Sequence, residues 1–196
     1  DLLIAKAFEI ASSSAIDSSI KSKWTLNLSN AISVAVRGAL CELDFKVAKT
    51  DNLFSRYLNM AYDKTGVMFT LPISCVGQTA CLSDAEIKKL TEVFAKFAVA
   101  YQIRDDEADY LGNKTGRATM SDILNDRPNL YYLLSKSEAH APDLFKHASN
   151  FHEKLIEEAE VGLEAFPNSL TLMIRELVLP FVKLTKSPDP SCNLAC

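Results

Sequence analysis

Ser83-Asp84-Ala85-Glu86-Ile87-Lys88-Lys89-Leu90 opens, and Tyr101-Gln102-Ile103-Arg104-Asp105-Asp106-Glu107-Ala108-Asp109 closes, the stretch that decides the fold. Ser83 followed three residues later by Glu86 is a capping box, in which each residue satisfies a backbone N–H of the other. Ile87, Leu90, Phe94, Phe97, Ala98 and Tyr101 then recur at helical spacing. The pattern predicts one long helix running through Asp109 and stopping before Gly112.

The end of this helix is where chemistry is expected. Asp105, Asp106 and Asp109 fall on roughly one side of it, and Gln102 lies one turn earlier. Carboxylates at a helix C-terminus repel one another and oppose the macrodipole. A hard divalent cation such as Mg²⁺, which prefers carboxylate oxygens and keeps waters and phosphates as further ligands, would relieve both problems. The bland alternative is a solvated helix end. A polar loop follows from Gly112 to Arg127, with Lys114, Thr115, Gly116, Arg117, Asp122, Ile123 and Arg127 in it. Acid and base alternating around one point suit a metal–diphosphate substrate. Upstream, Lys64-Thr65-Gly66 at a helix junction could hold a phosphate by charge and hydroxyl donation. Alone, the triplet recurs by chance, as Lys114-Thr115-Gly116 shows.

The rest of the chain is helical in its periodicity. Segments are expected at about Leu2 to Ser14, Ser22 to Lys49 and Leu53 to Asp63, then from Thr65 with a break or kink near Pro72. Pro128 suits the first turn of a helix spanning Asn129 to Lys136. Pro142 opens another, with Leu144, Ala148, Phe151, Leu155, Ala159 and Phe166 inward. A last segment carries Leu170, Met173, Leu177, Phe181 and Leu184 at helical spacing, with Pro180 bending it. No segment alternates as a strand does. The reading is all-α: one helical domain over residues 1–186 and a loose tail over 187–196.

Composition narrows the class. The chain has 196 residues, 48% of them hydrophobic, which suits one globular domain with a sizeable core. A formal net charge of −4 argues against nucleic acid as the main partner. The five cysteines are odd in number and irregularly spaced, which argues for a reducing, cytoplasmic compartment and against a zinc site or disulfide framework. No apolar run is long enough to span a bilayer. His140, His147 and His152 lack metal-ligand company. The chain opens on Asp1-Leu2-Leu3 with helical periodicity at once, which reads as the middle of a domain.

Taken in order, these residues resemble the trans-isoprenyl diphosphate synthases. The family's second aspartate-rich motif follows an aromatic-Gln-aliphatic triplet, as Tyr101-Gln102-Ile103 precedes Asp105-Asp106-Glu107-Ala108-Asp109. Its Lys-Thr pair matches Lys64-Thr65, and its later Gly-Lys, Asp-Ile/Leu and Lys positions match Gly116-Arg117, Asp122-Ile123 and Arg127. Asp1-Leu2-Leu3 through Ala7-Phe8 is similar to the helix that begins Gly-Asp-x-Leu. Gly38-Ala39 stands where many members have Gly-Gln, with Glu42 and Asp44 nearby. Nothing before Asp105 provides the family's first aspartate-rich motif, so the bundle is expected to lack its N-terminal helices.

The resemblance implies an isoprenoid-synthase bundle that condenses an allylic diphosphate with isopentenyl diphosphate, using Mg²⁺. It implies metal binding by Asp105 and Asp109 with Asp106 in support. Lys64 and Arg127 would hold diphosphate, and Thr65 and Gln102 would sit near the developing cation. It further implies a homodimer built on the first two helices. With half of the metal site lacking, turnover by this chain alone is expected to be poor. A non-catalytic partner subunit and a terpene cyclase on the same fold are the alternatives. Ser18-Ser19-Ile20-Lys21 followed by Lys-Thr-Gly mimics a serine acyl-enzyme pattern, but that chemistry needs a strand.

Overall fold

The computed structural model describes residues 2–45, 53–114, 116, 118–136 and 144–184. Helices α1 (Leu2–Ser13), α2 (Ser18–Leu43) and α3 (Leu53–Ala61) lead into a π-helical turn, Tyr62–Gly66. Then come α4 (Val67–Thr79), α5 (Asp84–Tyr110), the short α6 (Ser121–Leu124) and α7 (Leu130–Ser135), α8 (Leu144–Leu163) and α9 (Asn168–Val182). Among the described residues there is no strand.

Helix α5 is the axis of the bundle. Both legs of its capping box form: the Ser83 amide donates to Glu86 Oε2 at 2.8 Å, and the Glu86 amide donates to Ser83 Oγ at 3.3 Å. Of the expected stripe Leu90, Phe97 and Ala98 are buried, Ile87 and Phe94 half-buried and Tyr101 exposed, while Val93, Ala100 and Ile103 are buried in addition. A helix apolar on several sides is one surrounded by others, and α4, α7, α8 and α9 all pack on it. Its upper half shares a core with Tyr57, Met60, Leu130 and Tyr131, and its lower half with Ile156, Leu163, Ile174 and Val182.

The C-terminus of α5 closes as a Schellman motif. Asn113 N–H donates to the Ala108 carbonyl at 2.8 Å and Gly112 N–H to the Asp109 carbonyl at 3.2 Å. Gly112 has φ +74°, a left-handed conformation in which a side chain is costly.

Several boundaries differ from the sequence-based expectations. Helix α2 starts at Ser18, four residues early, because Asp17 caps it by accepting from the Ser19 amide at 2.8 Å. It ends at Leu43, and residues 46–52 lie outside the described set. The chain does not break between Asp63 and Thr65: the π turn carries α3 into α4, with Val67 N–H bonding back five residues to Tyr62. Helix α4 runs through Pro72 to Thr79. Pro128 precedes the N-cap of α7, Asn129, rather than sitting in its first turn.

Helix α9 presents a different face from its apolar stripe. Met173, Leu177 and Phe181 are at least half exposed, while Thr171, Ile174, Leu179 and Val182 face the core. Thr171 is admitted there because its hydroxyl donates to the Leu163 carbonyl at 3.0 Å. The helix continues past Pro180 to Val182, and Arg104 donates to the Pro180 and Phe181 carbonyls, taking up groups the last turn leaves free. Residues 187–196 of the expected tail, with Pro142 and His140, lie outside the described residues.

Candidate active site

The π turn and α5 meet at one hydrogen bond: Thr65 Oγ1 donates to Gln102 Oε1 at 3.0 Å, across 37 residues of sequence. A π turn inside a helix re-aims the side chains it carries and recurs at functional sites. Here it carries Lys64 and Thr65. Its position is set by α2, which approaches so closely that a Cβ at Gly38 would lie 2.4 Å from the Lys64 amide nitrogen. From α2, Glu42 accepts from Lys64 Nζ at 2.6 Å, and the lysine stays one-third exposed.

From Gln102 the network continues inward. Its Nε2 donates to Asp106 Oδ1 at 2.9 Å, while Tyr57 OH and the Leu130 amide donate to Asp106 Oδ2, each at 2.7 Å. Asp106 is fully enclosed, and burial pushes its carboxyl up to about 7 against the pull of those three donors. Burial and the neighbouring Asp106 charge hold the Tyr57 phenol well above its ordinary value. Asp106 thus locks the Gln102 amide, whose oxygen accepts the Thr65 hydroxyl bond. Asn129 adds a bond from Nδ2 to the Asp106 carbonyl at 2.9 Å. Beside this network, Tyr131 OH donates to Glu107 Oε1 at 3.2 Å, and burial raises the Glu107 carboxyl.

Asp109 is buried as well. Ser121 Oγ donates to its Oδ1 at 2.5 Å, the Asp122 amide to its Oδ2 at 3.0 Å, and the Met120 amide to its carbonyl at 2.9 Å. One residue therefore fastens the far end of the loop to α5. Asp105 differs from its two neighbours. Its side chain is 42% exposed, Oδ2 meets Lys114 Nζ at 2.8 Å, and Oδ1 accepts no bond from the described residues. Burial works against the Lys114 charge, but the Asp105 bond and the surrounding carboxylates prevail and raise its pKa. Burial likewise raises Asp122, with Lys114 and Arg127 pulling it down.

The structure brings Lys64, Thr65, Gln102, Asp105, Asp106 and Asp109 into one connected region. Arg127 is exposed, beside Asp122, to whose carbonyl its amide donates at 2.8 Å. Thr115 and Arg117 lie outside the described residues. Of the three acidic side chains expected to face a metal, Asp105 keeps an open oxygen; Asp106 and Asp109 are each engaged at both oxygens within the chain. Among the described residues no three Asp, Glu, His or Cys side chains enclose a metal position. The donor set still suits a hard cation: the Lys114 ammonium already stands there, 2.8, 3.9 and 3.7 Å from Asp105, Asp109 and Asp122. An ion that takes one carboxylate and fills its shell with water and phosphate fits this; one needing a closed cage does not.

Sequence reasoning missed Tyr57 and Asn129 as parts of the site and gave Glu42 no role. Asn129 had a signal, an N-cap residue just after a proline. Tyr57 had none, since its hydroxyl partner lies 49 residues away.

A family model described as polyprenyl synthetase matches residues 1–161. A geranylgeranyl diphosphate synthase of Saccharolobus solfataricus is 26% identical over 143 residues, covering 71% of this chain and 43% of that protein. Two solved structures share the all-α fold. The geranylgeranyl pyrophosphate synthetase of the archaeon Geoglobus acetivorans superposes with a TM-score of 0.78 at 23% identity. That of Pyrococcus horikoshii gives 0.75 at 24%. Each alignment covers 93% of this chain and 64% of the other. The chain therefore spans under half the length of the curated relative and under two-thirds of the solved ones.

Proposed function

Because this chain belongs to the polyprenyl synthetase family, we propose that it works as a prenyltransferase, condensing an allylic diphosphate with isopentenyl diphosphate in the presence of Mg²⁺. The observation that carries the reading is the Thr65–Gln102 bond at 3.0 Å, which joins the phosphate-type Lys64-Thr65 turn to the acidic end of α5.

Lys64 and Arg127 supply positive charge to the diphosphate. Lys64 waits on Glu42 and exchanges that partner for a phosphate oxygen. Asp105 is the direct metal ligand, with Asp106 and Asp109 supporting it from behind. Mg²⁺, when bound, would screen the diphosphate charge and make it a better leaving group. The Thr65 hydroxyl proton is committed to Gln102, so its lone pairs are free to face positive charge developing on the allylic carbon. The buried Asp106 fixes that orientation through Gln102.

An apolar groove supports an isoprenoid substrate. Phe69, Phe94, Tyr101, Leu177, Val178 and Phe181 line it. Phe69 lies one turn after Thr65 and Tyr101 one turn before Asp105, with their rings 5.6 Å apart. The groove thus starts beside the polar site. A homodimer is supported by exposed apolar side chains on α1 and α2, among them Leu2, Leu3, Ile10, Leu26, Leu40 and Leu43. Among the described residues no helix is long and apolar enough to cross a membrane. The irregular cysteine spacing supports a cytoplasmic location.

The test is calorimetric titration of the 196-residue chain with farnesyl diphosphate, with and without MgCl₂, beside Asp105→Asn and Lys64→Ala. Mg²⁺-dependent binding that weakens in both variants is expected. Binding that ignores Mg²⁺ and both substitutions would sink the reading. Condensation by residues 1–196 alone is expected to be slow, because they supply one aspartate-rich motif.

A further inference from the structure

Lys114 follows the Schellman turn of α5 and reaches back to Asp105 and Asp109 near the end of that helix, where a cation also complements the macrodipole. Its side chain is only 13% exposed. Around Nζ stand Asp105 at 2.8 Å, Asp122 at 3.7 Å and Asp109 at 3.9 Å. Asp109 is fixed by Ser121 and the Asp122 amide, so that carboxylate cannot turn away. One ammonium therefore serves three crowded carboxylates.

We propose that Lys114 is the resident counter-ion of this cluster and stands in the way of a divalent cation on Asp105, so that the cation binds only as Lys114 leaves. The inference rests on the functional reading above, which makes Asp105 a metal ligand. Two cations within a few ångströms repel, so both cannot lean on Asp105 at once. The state with Lys114 on Asp105 lowers the apparent affinity for metal, as any competing occupant lowers it. A diphosphate changes the balance by offering the displaced ammonium new oxygens. Metal and diphosphate then favour each other's binding, and by linkage each raises the other's affinity by the same factor.

The experiment titrates MgCl₂ into the 196-residue chain by calorimetry, alone and with saturating inorganic pyrophosphate. It compares wild type, Lys114→Met, Lys114→Arg and Asp105→Asn. Lys114→Met is expected to lower the half-saturating Mg²⁺ at least fivefold without pyrophosphate and to shrink the gain that pyrophosphate brings. Lys114→Arg keeps the charge and stays near wild type. Thermal melts check the fold: Lys114→Met should melt lower without metal and gain more from Mg²⁺ than wild type does. Unchanged or weaker Mg²⁺ binding in a folded Lys114→Met, while Asp105→Asn still weakens binding in the wild-type background, overturns the role of Lys114 alone. Mg²⁺ binding insensitive to Asp105→Asn overturns the metal-site reading and this inference together.

Discussion

Gly38→Ala is expected to disturb the site from a helix that contributes no catalytic group. The added Cβ would lie 2.4 Å from the Lys64 nitrogen, 2.7 Å from the Asp63 carbonyl carbon and 2.8 Å from the Lys64 Cα. All three are backbone atoms, so no rotamer change makes room. Ordinary carbon contacts lie at about 3.5–4.0 Å, so α2 and the π turn must part by roughly 1 Å. Overpacking of this kind costs about 1–3 kcal/mol. Alanine recovers about 1 kcal/mol over glycine in a helix interior. The net loss is therefore expected to reach about 2 kcal/mol, and the Lys64–Glu42 contact, which spans the same two elements, should loosen with it. Urea unfolding measures the first effect as a lower midpoint at unchanged slope. Calorimetry with farnesyl diphosphate and MgCl₂ measures the second. A variant as stable as wild type or more so, with unaltered diphosphate binding, would show helix propensity acting alone and refute the close approach of α2 to the turn.

Tyr57→Phe removes one donor from the buried Asp106 carboxyl and should cost about 1–3 kcal/mol in thermal or urea unfolding; an unchanged midpoint would mean that the contact carries no weight. Ser83→Ala opens the capping box of α5 and should cost about 1 kcal/mol in the same assay, with little effect on Mg²⁺ binding. His152 gives a pH dependence. Burial lowers its pKa below the ordinary 6.5, and its Nε2 sits 2.6 Å from the Val182 carbonyl. Its contribution to stability is therefore complete above about pH 6.5 and is lost as pH falls toward the folded value, with a slope of at most about 1.4 kcal/mol per pH unit. Urea midpoints measured from pH 8 to 5 should fall in wild type, and His152→Gln should remove part of that fall.

The sequence carried the axis of the fold because α5 announces itself at both ends. Ser83 with Glu86 starts it and Gly112 stops it, and each signal acts through its own backbone bonds. The acidic strip was legible for the same reason, since Gln102, Asp105, Asp106 and Asp109 are related by helical geometry alone. What each carboxylate does was not legible. Asp106 and Asp109 are turned inward by Tyr57, the Leu130 amide and Ser121, partners that the chain brings from elsewhere. The π turn reads in the sequence as a junction between two helices, because Lys64-Thr65-Gly66 ends in a glycine and a five-residue pairing leaves no mark on a 3.6-residue period. Helix α9 misled through its hydrophobic stripe. Its inward face includes Thr171, which counts as polar until its hydroxyl finds the Leu163 carbonyl. The start of α2 was missed at Asp17, an N-cap signal without an apolar stripe directly behind it.

Asp109 holds the far end of the loop after α5 by its carbonyl and both carboxylate oxygens, and the Schellman turn holds the near end. Between the two anchorages Lys114 reaches back to Asp105 and Asp109 on the helix. A Cβ added at Gly116 would meet nothing within 4 Å, so this position faces open space. Closing a longer span costs only about 0.6 kcal/mol for each doubling of its length. A peptide grafted at Gly116 should leave Asp105 in place as long as Lys114 keeps its contact with it. Length can change at Gly116 while both anchorages and the Lys114–Asp105 contact stay as they are.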